Sequence, residues 1–182
     1  MSKFNIETFK WVGRLGVGSA TPEILDDPDI KEANNQTFKA GDLVYLSSGT
    51  VTKWADSATT QIAGIALEDA TNVTSGNKAI KILKITSMDI FEGTFWDTSE
   101  SQAITAVTII GQSFGLDTPS AGVWVVDNDS TNDRVRVVGL KKGPAFDSTG
   151  TPCQMKLGDT YGRVYVQFLD STSAGTELLM FN

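Results

Sequence analysis

From Phe38 onward the chain holds no single pattern for long. Short apolar runs alternate with Gly, Pro, Asn, Asp and Ser, and the pattern is that of strands joined by turns. Roughly eight to ten such runs can be counted, most of four to eight residues, the spacing of an all-β barrel or sandwich. Leu43–Leu46 and Thr50–Trp54 flank Ser47-Ser48-Gly49 and predict a hairpin. Further strands are expected at Ile62–Leu67, Ala79–Thr86 and Arg163–Leu169, with a last apolar patch at Leu178–Phe181. Asp89–Trp96 reads as a strand split by Gly93. Ser101–Val107 is the best helix candidate, and the Thr108-Ile109-Ile110 that follows suits a strand better. Residues 111–116 lead to an expected turn at Thr118-Pro119-Ser120. Val123–Val126 and Arg134–Val138 read as the arms of one hairpin whose tip is Asp127–Asp133, and 143–152 as a Gly/Pro-rich loop.

Residues 1–37 differ. Phe4, Ile6, Phe9, Trp11 and Leu15 follow no sustained period, and Gly13, Gly16, Gly18, Pro22 and Pro28 interrupt any regular element. Large apolar side chains are costly to leave in water, so this stretch packs either on a partner or on its own domain. We therefore expect an extended N-terminal arm, 1–37, and a β-rich body, 38–182, with Phe4, Ile6, Phe9, Trp11 and Leu15 as partner-binding residues. A chain lacking residues 1–30 is expected to fold and to lose its partner.

Composition narrows the chemistry. The 182 residues carry a net charge of -7 and no His. Without His the chain lacks the commonest general base and transition-metal ligand. Cys153, the one cysteine, has no imidazole to activate it and reads as a small half-buried residue. No basic patch offers the cationic footprint that nucleic acid requires; the longest run is Lys141-Lys142. No apolar run approaches the roughly 20 residues of a membrane span, and the N-terminus has no signal-peptide core. The N-x-S/T triplets at Asn35, Asn72 and Asn128 read as chance in an Asn/Thr-rich chain.

The motifs fare no better as catalytic sites. Gly13–Gly18 is glycine-rich but has neither the dinucleotide nor the P-loop spacing. Asp127, Asp129 and Thr131 start like a calcium loop. Asn132 then stands where the loop needs Gly and Val138 where it needs Glu, so a polar turn is the simpler reading. No pair of acids is marked as flanking a cleft, and no G-x-S-x-G occurs. The expectation is a non-enzyme with no catalytic, cofactor or metal site and no small-molecule substrate. Trp11, Trp54, Trp96 and Trp124 leave one other class open, a phage tail or fibre module that stacks aromatic rings on host glycans.

One stretch carries a resemblance. Phe38-Lys39-Ala40-Gly41-Asp42-Leu43-Val44-Tyr45-Leu46, then Gly49-Thr50-Val51, then Ile62-Ala63-Gly64-Ile65-Ala66, resembles the F-x-x-G-D-x-V-x-L, G-x-V and G-I-A elements of tailed-phage head decoration (capsid cement) proteins. Gly162–Val166 fits the same style, and residues 38–70 carry most of the likeness. The resemblance implies a small β-barrel, sandwich or β-tulip-like body that trimerises on the outer capsid surface of the virion after assembly in the host cytoplasm. It also implies an N-terminal arm reaching across capsomers to clamp adjacent major capsid subunits.

Overall fold

The computed structural model describes residues 8–16, 20–55, 60–99, 105–120, 122–128, 132–141, 143–146, 152–155, 162–171 and 177–181. It is all-β. The strands are β1 (Lys10–Arg14), β2 (Ile24–Leu25), β3 (Lys31–Glu32), β4 (Leu43–Ser47), β5 (Thr50–Lys53), β6 (Gly64–Ala66), β7 (Ile82–Lys84), β8 (Asp89–Trp96), β9 (Ser113–Ser120), β10 (Val123–Asp127), β11 (Val135–Leu140), β12 (Gly143–Phe146), β13 (Pro152–Met155) and β14 (Arg163–Phe168). Strands β8, β10, β9, β11 and β14 pair in that order, and β14 pairs back onto β8, closing a five-stranded barrel. Closure removes the free edges that an open sheet exposes. Its pairings are antiparallel except for β8 with β10, which run parallel through Val126↔Phe95 and Asp127↔Trp96.

The second sheet has the order β2-β7-β6-β4-β5-β3. Its centre is the expected hairpin. Ser48 (φ 50) and Gly49 (φ 80) form a two-residue turn with both φ positive, the geometry that matches strand twist. A bridge from Lys31 to Ala79 joins β3 back to the segment before β7, so this sheet curls on itself. Phe38, Val44, Val51, Ala66, Ile80 and Ile82 fill the curl. The alternate residues of the same strands, Leu43, Ile65 and Leu83, point the other way and join the barrel core of Phe91, Phe95, Phe114, Val135, Val164, Val166 and Phe168. Burial on both faces explains why AIKILKIT shows mixed parity: Ile82 and Leu83 belong to different cores.

Residues on the N-terminal side of the boundary expected at residue 37 pair with strands beyond it: β1 with β8, β2 with β7 and β3 with β5. The described part of the N-terminal segment is extended but laid along the body, where it supplies strands to both sheets. Strands β10 and β11 are not a hairpin; β10 lies between β8 and β9, and β11 between β9 and β14. In these positions Val125, Val126, Val135 and Val137 are all fully buried. Thr118-Pro119-Ser120 is the end of β9 rather than a turn, and the turn comes at Gly122 (φ +76). Of the helix candidate, 101–104 lie outside the described residues and Ala106 is extended; Val107–Ile109 forms one 3-10 turn, taking the last residue of the expected helix and part of the strand expected at 108–110. The 143–152 loop begins and ends in a hairpin of β12 with β13. Asp89–Trp96 is one unbroken strand, and Gly93 serves packing rather than a break.

Candidate functional site

The residues that carry the family resemblance fold into one junction. Phe38 is fully buried in the curled sheet. Gly41 has φ +98, and a Cβ there would stand 2.5 Å from the carbonyl oxygen of Gly122 on the barrel, so the two backbones meet at a contact only glycine permits. Asp42 is fully buried and satisfies three donors: the Lys39 N–H at 2.8 Å and Lys53 Nζ at 3.0 Å on Oδ2, and the Gly122 N–H at 3.0 Å on Oδ1. This carboxylate caps its own turn and pins the second sheet to the β9–β10 turn. Gly64 lies where a Cβ would overlap the Leu83 carbonyl across the β6–β7 pair. The G-D and G-I-A elements are thus explained by backbone approach and a buried cap, not by a ligand.

The N-terminal residues proposed as partner contacts divide. Phe4 and Ile6 lie outside the described residues. Phe9 is buried in the core, with ring centroids 5.2 Å from Phe168 and 6.5 Å from Phe91. In this single chain it packs into the barrel core instead of standing exposed. Trp11 is half-buried, and its indole N–H donates to Asp89 Oδ1 at 3.0 Å. Leu15 is exposed, beside Met88, whose carbonyl accepts the Leu15 N–H at 2.8 Å. With Val12, thrown out at a bulge between Trp11 and Gly13, they leave an apolar strip along β1. A second strip, which the sequence did not single out, joins Val107, Ile110 and Val138, brought together by the Gly111 N–H to Val137 O bond. Residues three apart on a 3-10 turn share a face, and a strand bulge at Val138 turns its side chain outward beside them.

Three buried carboxylates, Asp89, Glu92 and Glu32, act as clasps between segments. Burial pushes the Asp89 carboxyl up, but hydrogen bonds from Arg14, Trp11 and Thr86 outweigh it and hold the group below its ordinary value. Glu92 follows the same balance: burial raises it, and Lys141 and Arg163 lower it further than burial lifts it. Glu32, also buried, is lowered against burial by Thr71 and the Lys78 N–H. Every one of these carboxylates faces a fixed cation or N–H donor, which suits a strut between segments and not a proton-transfer group poised near neutrality.

The other candidate sites can also be placed. Trp54 and Trp124 are buried against each other, centroids 5.2 Å apart, so neither offers a face to a sugar; Trp96 is half-buried. In the acidic loop Asp127 is buried at the end of β10 and Asn128 donates to Asp97 at 2.9 Å; residues 129–131 lie outside the described residues. Among the described residues no group of three or more His, Cys, Asp or Glu is arranged to hold a metal ion, and no helix is long and apolar enough to cross a membrane. Cys153 lies on β13. Asn35 (φ 58) and Asn72 (φ 56), two of the N-x-S/T asparagines, hold left-handed backbone, which gives those asparagines a structural reason. No protein-family model, curated protein or solved structure matches the chain.

Proposed function

We propose that the chain is a decoration protein of a tailed-phage head, binding the outer capsid surface of the virion as a homotrimer and clamping adjacent major capsid subunits. The observation that carries this reading is the joint role of the resembling elements. Phe38, Gly41, Asp42, Gly49 and Gly64 come together in one sheet, each in a position its residue type explains. A motif whose residues serve backbone contacts marks a scaffold more than a catalyst.

Two further features fit. The buried carboxylates act as struts, which suits a protein whose task is to resist separation of subunits. The exposed apolar strips at Val12, Leu15 and Met88 and at Val107, Ile110 and Val138 offer contact area outside any cleft. Clamping would work by mass action: a protein that binds only the assembled head stabilises it by its binding free energy. The reading involves no catalytic step and no nucleic acid or membrane partner.

The test is sedimentation with purified heads of the phage concerned, stripped of their decoration. Saturable co-sedimentation, with a rise in the temperature at which the heads release DNA, is the expected result. Heads that neither bind the chain nor gain thermal resistance would overturn the assignment.

A further inference from the structure

Strand β1 is attached differently from every other long strand. It pairs with β8 alone among the described strands, and the barrel closes without it because β8 is held by β14 on one side and β10 on the other. Over Asp89–Glu92 one edge of β8 is occupied by β1; over Phe95–Trp96 the same edge is taken by β10. Gly93 lies between, and the Phe9 ring fills the space beside it.

The attachments are a short and discrete set. Phe9 enters the slot lined by Phe91, Gly93 and Phe168. Trp11 and Arg14 both bind Asp89. The Thr8 hydroxyl donates to Gly41 O and accepts the Trp124 N–H. After Arg14 the chain turns at Gly16, in left-handed backbone at φ +73. A vacated groove would expose three aromatic or apolar walls and strip the buried Asp89 of two partners. It therefore demands an occupant with an aromatic plug, then an indole and a guanidinium in the same register, and that occupant is the sequence Thr8–Arg14 itself.

We infer that β1 is an exchangeable strand, seated in the assembled state on β8 of a second copy of the chain. Exchange replaces each contact by an identical one, so its free-energy cost is that of bringing copies together, which a crowded surface lowers. The inference concerns the chain with itself and does not rest on the capsid assignment.

Gly13 stands opposite Ile90 in the β1–β8 register, and a Cβ at Gly13 meets nothing within 4 Å, so a side chain is accommodated there and cysteines at the two positions lie within the span of a short bismaleimide cross-linker. Two full-length variants, Gly13→Cys and Ile90→Cys, each also carrying Cys153→Ser, are mixed in equal amounts, incubated at high concentration and treated with the cross-linker. Exchange gives the mixed Gly13→Cys/Ile90→Cys dimer as the dominant covalent species, several-fold above either same-variant dimer. The chain carrying both substitutions serves as the second measurement. If it closes only an intrachain bond at every concentration, and the mixture gives no excess of the mixed dimer, exchange is overturned.

Discussion

The Phe9 ring occupies the space a side chain at Gly93 would need, its Cε1 2.5 Å from where a Cβ would stand. The pair explains both an apparently broken strand and an apparently free arm. A side chain at position 93 would evict the ring, and loss of the ring would leave a void beside Phe91 and Phe168.

Phe9→Ala should therefore destabilise the fold by about 3–5 kcal/mol, the usual cost of emptying a buried aromatic site. Gly93→Ala should be of the same sign by overpacking, about 1–3 kcal/mol. Removal of residues 1–16 should lower the urea midpoint by at least as much as Phe9→Ala. An unchanged midpoint in the truncated chain would show that the segment is dispensable to the body after all.

Asp42→Ala should weaken the junction between the two sheets. It leaves the Lys39 and Gly122 N–H groups without their acceptor; the Gly122 donor is buried, and one so orphaned costs about 1–3 kcal/mol. Hydrogen exchange reads this locally, as faster exchange at Gly122 than at the centre of β14.

Trp54 and Trp124 stack together but differ in one bond. The Trp54 indole N–H donates to Thr60 O at 3.0 Å, whereas the Trp124 indole N–H is buried with no partner among the described residues. Trp54→Phe should thus be the more damaging by about 1–2 kcal/mol, although the two remove the same atoms. Parallel thermal melts decide it, and equal losses would mean that the Trp124 N–H does have an acceptor.

Acid should loosen the struts. Asp89 and Glu92 titrate in the fold below their ordinary values of 3.8 and 4.5, so the unfolded chain binds protons first as pH falls. Their stabilisation is complete above the ordinary values and is lost as pH drops through them toward the folded values. Urea midpoints should be flat from pH 7 to about 5.5 and fall below that. Glu92→Gln should be less stable at neutral pH, where Lys141 and Arg163 lose their counter-charge, and should show a shallower acid loss.

Much of the secondary structure was legible in the order of residues. The β4–β5 hairpin, β6, β8 and β14 follow from apolar runs and positive-φ turn residues close together in the chain. The candidate site was less so. Phe9 and Trp11 could be recognised as needing burial, but not whether their cover would be a partner or residues 89–93, some 80 positions away. Arg134 shows the same limit: it alternates with valines and reads as wet-face, yet it is buried with its guanidinium 5.7 Å from the Trp54 ring.

The sequence by itself determined that this chain must be a β protein of short strands, without histidine chemistry and without a basic face, because periodicity, turn residues and composition are local or additive properties. Tertiary structure alone decided which strands are neighbours. Val123–Val126 and Arg134–Val138 lie next to each other in the chain, but they are separated in the barrel by β9. The barrel can close only when β8, β10, β9, β11 and β14 each bury an apolar face, and that condition couples residues 20 to 80 positions apart. The N-terminal strand lies along β8 outside that closure, and there Phe9 completes a core that no local pattern could reveal.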